Sequence, residues 1–168
     1  PVYLIAGFLD AGKTDFINGI LEDGFAQEKT LLICCEEGEL EYNPAFLKNV
    51  TVVTIDDEDD LKCSRLKELE KEHQPKQVLI EYNGMWDFRK FRLPRAWRLE
   101  QQTTVIDAST FSMYFTNPTM SCSHLHPCSV SGFPRYPCSI LRGMYPSTTI
   151  TCDVYVLCSG NRLQSSTA

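Results

Sequence analysis

The chain has 168 residues, of which 43% are hydrophobic and 23% are charged, as in an ordinary globular protein with one domain. No stretch approaches the roughly 18 consecutive apolar residues that cross a membrane, and the N-terminus lacks the basic and apolar segments of a signal peptide. The net charge is −6 without a basic stripe, which argues against a general nucleic-acid-binding protein. We therefore expect a cytoplasmic protein that handles a small molecule, with no nucleic-acid or membrane partner.

The first 50 residues alternate between strand and helix patterns. Residues 2–6 form a short apolar run that ends at Gly7 and predicts a buried strand. Residues 14–21 carry apolar side chains at helical spacing, and Gly24 suits the end of a helix. A second buried strand is predicted over residues 30–35. An acidic loop and the start of a short helix are then predicted, over residues 36–42 and 44–47.

The next part of the chain repeats the pattern. Strands are predicted over residues 51–55, 77–82 and 102–107, and an amphipathic helix over residues 61–72, with residues 57–60 as candidates for its N-cap. Residues 85–100 predict a short helix followed by a loop around Pro94. Because the strands lack strict alternation and are separated by helices, we predict an α/β fold in three layers, with a mainly parallel sheet covered on both faces.

A phosphate-binding loop connects the first strand to the first helix. Residues 7–14, GFLDAGKT, match the pattern G-x-x-x-x-G-K-[ST] in full, and the strand and helix that the motif requires lie on either side of it. The glycines let the backbone wrap around a phosphate with its N–H groups pointing inward. Lys13 would neutralise the β- and γ-phosphates, and the Thr14 hydroxyl would bind Mg²⁺. The fold is therefore predicted to be that of a P-loop NTPase.

Phosphoryl transfer also needs a carboxylate near the Mg²⁺, usually at the end of a neighbouring strand. Three predicted strands offer one, in the residues Asp56, Glu81 and Asp107. Glu81 is followed by Gly84, and a glycine at that spacing lets the backbone approach a γ-phosphate closely. The other two carboxylates fit helix caps equally well. We therefore predict Glu81 as the catalytic carboxylate, with Lys13.

The acidic loop after the second strand has two interpretations. Residues 36–41 contain four carboxylates, which repel one another unless they are solvated or bound to a cation. The first interpretation is a solvated turn, because runs of charge are usually solvated. The second is a site for Mg²⁺ or a transition metal that faces the nucleotide.

Together these segments resemble the CobW/HypB/UreG nucleotide-binding family. The resemblance lies in GFLDAGKT, in the Glu-Gly-Glu loop, in LIEYNG with its E-x-x-G spacing, and in TVIDASTF, and it covers about residues 1–115. The family consists of P-loop GTPases tied to metal-centre assembly and metal delivery. The resemblance implies that this chain binds GTP with Mg²⁺, acts on a metalloprotein client and handles a transition metal such as Zn²⁺ or Co²⁺.

The resemblance also assigns roles to residues. The phosphates and Mg²⁺ would be bound by residues of the P-loop, namely Gly7, Asp10, Ala11, Gly12, Lys13 and Thr14. Glu36 and Glu39 would lie in a switch-like loop and serve as metal ligands. Glu81 and Gly84 would form the segment that senses the γ-phosphate.

Two motifs of the family are missing from this chain. The interval that carries a C-x-C-C metal motif in many CobW-type proteins contains only Cys63. Cys34 and Cys35 are adjacent on a predicted strand, so they would point to opposite faces and are expected to lie in the core. An N-K-x-D motif for reading guanine is also absent, since residues 161–164 are NRLQ. Guanine preference is therefore implied by the resemblance alone.

The composition changes near residue 116. Residues 1–115 contain 21 acidic and 13 basic residues, whereas residues 116–168 contain one acidic residue, three arginines and five of the eight cysteines. We expect a partial P-loop domain over residues 1–115, incomplete at its C-terminal side, and an atypical tail over residues 116–168, frame-shifted or disordered. Residues 150–158 form the one segment of the tail with a strand pattern. Cys122, His124, His126 and Cys128 are four potential zinc ligands at alternate positions. On an extended strand they would span about 20 Å, so one tetrahedral zinc ion could not bind all four without a sharp bend in the chain.

Two other functions remain open. The first is a P-loop kinase, whose lid arginines would come from Arg89, Arg92, Arg95 and Arg98. The second is a non-enzymatic fragment that lacks the half of the domain that reads the base. A GTPase is the leading prediction, in which water attacks the γ-phosphate and Lys13, Mg²⁺ and the loop amides stabilise the developing charge.

Overall fold

The structure of the chain is a computed structural model. It describes residues 1–36 and 41–107 in full, and the backbone of two further strands at residues 151–158 and 161–162. The strands are β1 Val2–Gly7, β2 Thr30–Cys34, β3 Val50–Thr54, β4 Gln77–Glu81, β5 Leu99–Asp107, β6 Thr151–Cys158 and β7 Asn161–Arg162. The α-helices are α1 Lys13–Glu22 and α2 Cys63–His73. Short 3-10 helices occupy Pro44–Phe46, Glu58–Asp60 and Phe88–Lys90.

The strands form one sheet in the order β3-β2-β4-β1-β5-β6-β7. All the pairs from β3 to β6 are parallel, and β7 is antiparallel to β6. β1 therefore lies inside the sheet, with Ile5 beside Glu81 of β4 and Gly7 beside Val105 of β5. This arrangement confirms the predicted α/β fold with a mainly parallel sheet.

Two apolar clusters cover the two faces of the sheet. On one face, which we call the α2 face, Leu66 and Leu69 of α2 pack with Ile80, Tyr82 and Trp97. On the other, the α1 face, Ile17 and Leu21 of α1 pack with Ile5, Leu32 and Leu79. Because successive strand residues point to opposite faces, Glu81 lies on the α1 face together with Leu79.

The two helices begin and end for different local reasons. α1 follows Gly12, which has a φ of +84° and provides no side-chain cap, so the first N–H groups of the helix face the loop before it. α2 begins at Cys63 and ends at His73, and the residue that caps its C-terminus, Gln74, has a φ of +46°. The predicted start at residue 61 and the predicted cap role of residues 57–60 are therefore wrong, because Asp57 instead caps the 3-10 helix Glu58–Asp60 by accepting from the N–H of Asp59.

Other boundaries also differ from the prediction. β5 begins at Leu99, three residues before the predicted strand, because Leu99 is buried and pairs with Val2 even though the residues after it are polar. The predicted helical turns at residues 44–47 and within residues 85–100 are 3-10 helices capped by Asn43 and Asp87. The strand pattern of residues 150–158 corresponds to β6.

Several predictions lie outside the described residues. They concern Glu39, the domain boundary at residues 115 and 116, and the motif at residues 122–128. Within the part of the chain that the structure describes, we find no helix with the length and apolarity needed to span a membrane.

Candidate functional site

The loop that carries the phosphate-binding motif leaves the sheet at Gly7. A Cβ atom on Gly7 would collide with the carbonyl oxygen of Val105 on β5, so the register of the sheet requires glycine here. Within the loop, Asp10 is exposed and has a φ of +56°, while the N–H of the buried Ala11 donates to the carbonyl of Phe8 at 3.2 Å. Gly12 then turns the chain into α1. The loop thus curls over the N-terminus of a helix, which is an arrangement suited to anions.

Lys13 is the charged group of this loop, and its side chain is almost fully buried. Its Nζ donates to the carbonyls of Gly7, at 3.2 Å, and Phe8, at 2.7 Å. It also forms an ion pair with Glu36 Oε2 at 2.5 Å. The two carbonyls and the ion pair with Glu36 together hold the charge of Lys13 inside the curve of the loop.

Thr14 and Glu81 meet at the first turn of α1. The Thr14 hydroxyl donates to Glu81 Oε1 at 2.9 Å, and the Tyr42 hydroxyl donates to Glu81 Oε2. Glu81 is only 2% exposed. Burial raises the pKa of its carboxyl above the usual value, although the hydrogen bonds from Tyr42 and Thr14 and the charge of Lys13 oppose that effect. This carboxylate is therefore held in one orientation beside the phosphate-binding loop.

The order of the strands explains why Glu81 is near the loop and Asp56 is not. β4 is adjacent to β1, whereas β3, which precedes Asp56, lies three strands from β1, or about 14 Å at the usual strand spacing. Asp107 ends β5, which is also adjacent to β1. The contact with Thr14 nevertheless distinguishes Glu81 among the three predicted carboxylates.

The acidic loop has both of its ends at this site. The loop begins with Glu36, which forms an ion pair with Lys13. It returns to the site at Tyr42, whose hydroxyl donates a hydrogen bond to Glu81. Asn18 of α1 fastens the returning end, because its side chain donates to the carbonyl of Glu41 at 3.2 Å and accepts from the N–H of Asn43 at 2.9 Å. Residues 37–40, between the two ends, lie outside the described part.

Gly84 packs directly against the phosphate-binding loop. A Cβ atom at this position would lie 2.9 Å from the Cα of Phe8 and closer still to the carbonyl oxygen of Gly7. The sequence predicts that this glycine lets the backbone approach a γ-phosphate closely. In the structure its close contact is with the backbone of the phosphate-binding loop. The E-x-x-G spacing thus links β4 to the loop through both Glu81 and Gly84.

The donors at the site suit a hard cation. The Thr14 hydroxyl and the Glu81 carboxylate are oxygen ligands of the type that Mg²⁺ prefers. The two oxygens are joined by a hydrogen bond of 2.9 Å, so they lie close enough for one cation to contact both. These residues therefore fit Mg²⁺.

The described residues offer no comparable set for a transition metal. Among them, no group of three or more His, Cys, Asp and Glu side chains could hold a metal ion. Cys35 is buried on the α2 face, as predicted for a core residue, but Cys34 is only half-buried, and its thiol donates to the carbonyl of Glu36 at 3.1 Å. The Cys63 thiol donates a hydrogen bond to the carbonyl of Arg92. A metal site that includes Glu39 stays a prediction.

Three of the four arginines predicted for a kinase lid have local partners in the structure. Arg89 is paired with Asp87 at 2.9 Å and Arg98 with Glu100 at 2.7 Å. Arg92 donates to the backbone carbonyls of Arg89 and Phe91. These contacts fasten the loop before β5, and we see no support in them for a phosphate acceptor site.

Sequence reasoning missed two residues of the site, Tyr42 and Asn18. Asn18 lies on the α1 helix at a half-buried position, where a polar residue is unremarkable. Tyr42 stands 39 residues before the carboxylate that it contacts. The one available signal was that an aromatic residue ends an otherwise acidic loop.

Comparison with known proteins agrees with this geometry. The model of a protein family, described as the CobW/HypB/UreG nucleotide-binding domain, matches residues 1–128, which is about three quarters of the chain. No curated protein gave a significant match. The matched range includes the loop, the acidic segment and Glu81, so this chain belongs to the CobW/HypB/UreG nucleotide-binding domain family.

Proposed function

We propose that this chain binds GTP together with Mg²⁺ and hydrolyses it, in the service of metal-centre assembly. The observation that carries the proposal is the juxtaposition of the buried ammonium of Lys13 with the Thr14–Glu81 pair at the N-terminus of α1. A fixed cation, a helix N-terminus and two oxygen ligands together suit a nucleoside triphosphate and its metal better than any other ligand class.

Each residue has a role in this proposal. Lys13 and the loop amides bind the β- and γ-phosphates and stabilise the charge that develops when water attacks the γ-phosphorus and the bond to the β–γ bridging oxygen breaks. Thr14 and Glu81 hold the Mg²⁺, which supplies further charge neutralisation when bound. Glu81, or a carboxylate of the acidic loop, orients the attacking water. Gly84 keeps the γ-phosphate segment against the loop.

The preference for guanine and the link to metal centres rest on the family. In the proposal, Glu36 and Glu39 belong to the switch-like loop and bind a transition metal such as Zn²⁺ or Co²⁺, which is the cargo for a metalloprotein client in the cytoplasm. Glu36 supports this assignment in one respect, because it connects the acidic loop directly to Lys13. Binding of nucleotide phosphates at Lys13 would therefore affect the loop.

The test is a titration of the full chain with a fluorescent GTP analogue in the presence of Mg²⁺, followed by displacement with GTP or ATP. We expect saturable binding that GTP reverses more effectively than ATP. Lys13→Ala should weaken binding by about 10- to 100-fold, as expected for the loss of hydrogen bonds to a charged partner worth about 1.5–3 kcal/mol. Equal binding by Lys13→Ala would contradict the proposal.

A matched control is available on α2. Lys67→Ala removes an exposed lysine of the helix that covers the opposite face of the sheet, so it should leave the affinity unchanged. Release of inorganic phosphate from GTP, measured with the same proteins, then tests hydrolysis separately from binding. A chain that binds GTP with Mg²⁺ and releases no phosphate would limit the function to nucleotide binding.

A further inference from the structure

The carboxylate of Glu81 has a different partner on each oxygen. Oε1 accepts from Thr14, which is the residue proposed to bind Mg²⁺, and Oε2 accepts from the Tyr42 hydroxyl. A carboxylate that is only 2% exposed has little water to restrain or satisfy it. The orientation of Glu81 toward Thr14 therefore depends on what holds its second oxygen.

Tyr42 is itself held firmly. Its ring is partly buried against the apolar cluster of the α1 face, and Asn18 fastens the backbone on either side of it. Its hydroxyl also lies close to Cys34, the half-buried thiol of β2. Burial raises the pKa of Tyr42 well above its usual value, so the hydroxyl remains a donor at neutral pH.

We propose that Tyr42 is the positioning residue that aims Glu81 at the Mg²⁺ of the bound nucleotide. The inference rests on the proposed function, because it concerns the same cation. Groups that hydrogen-bond a metal ligand fix its orientation, and their loss typically lowers metal affinity by 10- to 100-fold.

A purely structural role for Tyr42 predicts something different. If the ring only packs against α1, replacing the hydroxyl would change the thermal stability but not the dependence of nucleotide binding on Mg²⁺. A positioning role predicts that the Mg²⁺ dependence of nucleotide binding changes as well, besides the stability lost when Glu81 Oε2 is left without its donor. The two roles are therefore separable by one variant that keeps the ring.

The experiment uses the full chain and a fluorescent GTP analogue, titrated with MgCl₂ and, in parallel, in EDTA. We expect Tyr42→Phe to raise the Mg²⁺ concentration for half-maximal binding by about tenfold or more, with the affinity in EDTA within about twofold of the wild type. The matched control is Tyr3→Phe, since Tyr3 packs against the same cluster and its ring stacks edge-on against Phe25. Tyr3→Phe should leave both values unchanged.

A double-mutant cycle with Glu81→Gln tests whether Tyr42 acts through Glu81. In the Glu81→Gln background, Tyr42→Phe should cause no further loss of Mg²⁺ affinity. Additive losses, or a normal Mg²⁺ requirement in Tyr42→Phe, would overturn the inference and leave the proposed function intact. Failure of the wild type to bind the analogue at all would overturn both.

Thermal unfolding monitored by circular dichroism accompanies each variant. If Tyr42→Phe does not fold, Tyr42→Met replaces it in the same cycle, because methionine also removes the hydroxyl while filling an apolar site. The expected shift in Mg²⁺ dependence and the outcome that contradicts it are the same for this variant.

Discussion

The two faces of the sheet are built from the same strands but differ in where their apolar packing ends. On the α2 face, apolar packing continues to the end of β4 and beyond it, where Tyr82 meets Trp86, Phe88 and Phe91 edge-on or at steep angles. On the α1 face, apolar packing stops at Leu79 and polar groups follow. The difference shows how a parallel sheet can keep an apolar core directly behind a polar site.

Neighbouring residues make this division sharp. Glu81 lies on the α1 face beside Thr14, whereas the next residue, Tyr82, is 2% exposed on the α2 face. Cys34 and Cys35 divide in the same way, one hydrogen-bonded near the site and the other inside the α2-face cluster. A shift of one residue in the register of either strand would exchange the two roles.

The comparison is tested most strongly by Leu66→Ala, which creates a cavity in the α2 face. Leu66 is fully buried, so the substitution should lower the free energy of unfolding by about 2–5 kcal/mol. Urea unfolding measures that loss. Because the cavity lies across the sheet from Lys13 and Thr14, folded protein should bind the GTP analogue with unchanged affinity. A tenfold loss of affinity in fully folded protein would show that the faces are not independent.

A smaller effect on stability, with an effect on binding, is expected from Gly84→Ala. The added methyl group would press on the backbone of Gly7 and Phe8, and relief requires a shift on the order of 1 Å. We expect a loss of about 1–3 kcal/mol in unfolding free energy and about tenfold weaker binding of the GTP analogue.

The control for Gly84→Ala is Gly24→Ala. Gly24 has a φ of +87°, so alanine is strained there, but an added Cβ would meet only Gln27 Nε2, at 3.8 Å, among the described residues. This variant should lose stability while keeping the affinity for the nucleotide. Equal loss of affinity in both glycine variants would mean that general destabilisation, rather than pressure on the loop, explains the result.

The smallest effect is expected from Asp87→Asn, in the loop that covers the α2 face. The hydrogen bonds from the Arg89 side chain, together with its charge, lower the pKa of the Asp87 carboxyl from 3.8 to about 2. A lowered pKa in the folded state stabilises the fold above pH 3.8, and this contribution is lost as the pH falls toward 2. The melting temperature of Asp87→Asn should therefore lie slightly below that of the wild type at pH 7.

The difference in melting temperature between the wild type and Asp87→Asn should become smaller as the pH is lowered from 3.8 toward 2. Thermal unfolding at several pH values measures this difference. Asp59→Asn is the control, because Asp59 is highly exposed and its ion pair with Lys62 is long, at 4.0 Å. A difference in melting temperature that stays constant down to pH 2 would contradict the assignment of the effect to the Asp87 carboxylate.

Sequence reasoning predicted the features that depend on residues close together along the chain. The strand, glycine turn and helix around Lys13 follow from a contiguous motif, and Glu81 was chosen over Asp56 from its spacing to Gly84. The contacts of Lys13 with Glu36 and of Tyr42 with Glu81 were not predicted, because they join segments through the folded sheet rather than along the chain. The start of α2 was misplaced because acidic residues that resemble a helix cap instead cap a separate turn.

The ion pair between Lys13 and Glu36 has a consequence for how affinities should be understood. The ammonium donates hydrogen bonds to the carbonyls of Gly7 and Phe8, and its charge is neutralised by the Glu36 carboxylate. An anion that binds this ammonium therefore competes with the Glu36 carboxylate for its charge. An observed dissociation constant then reports an exchange of one anion for another, and the carboxylate set free by that exchange belongs to the segment that leads away from the sheet.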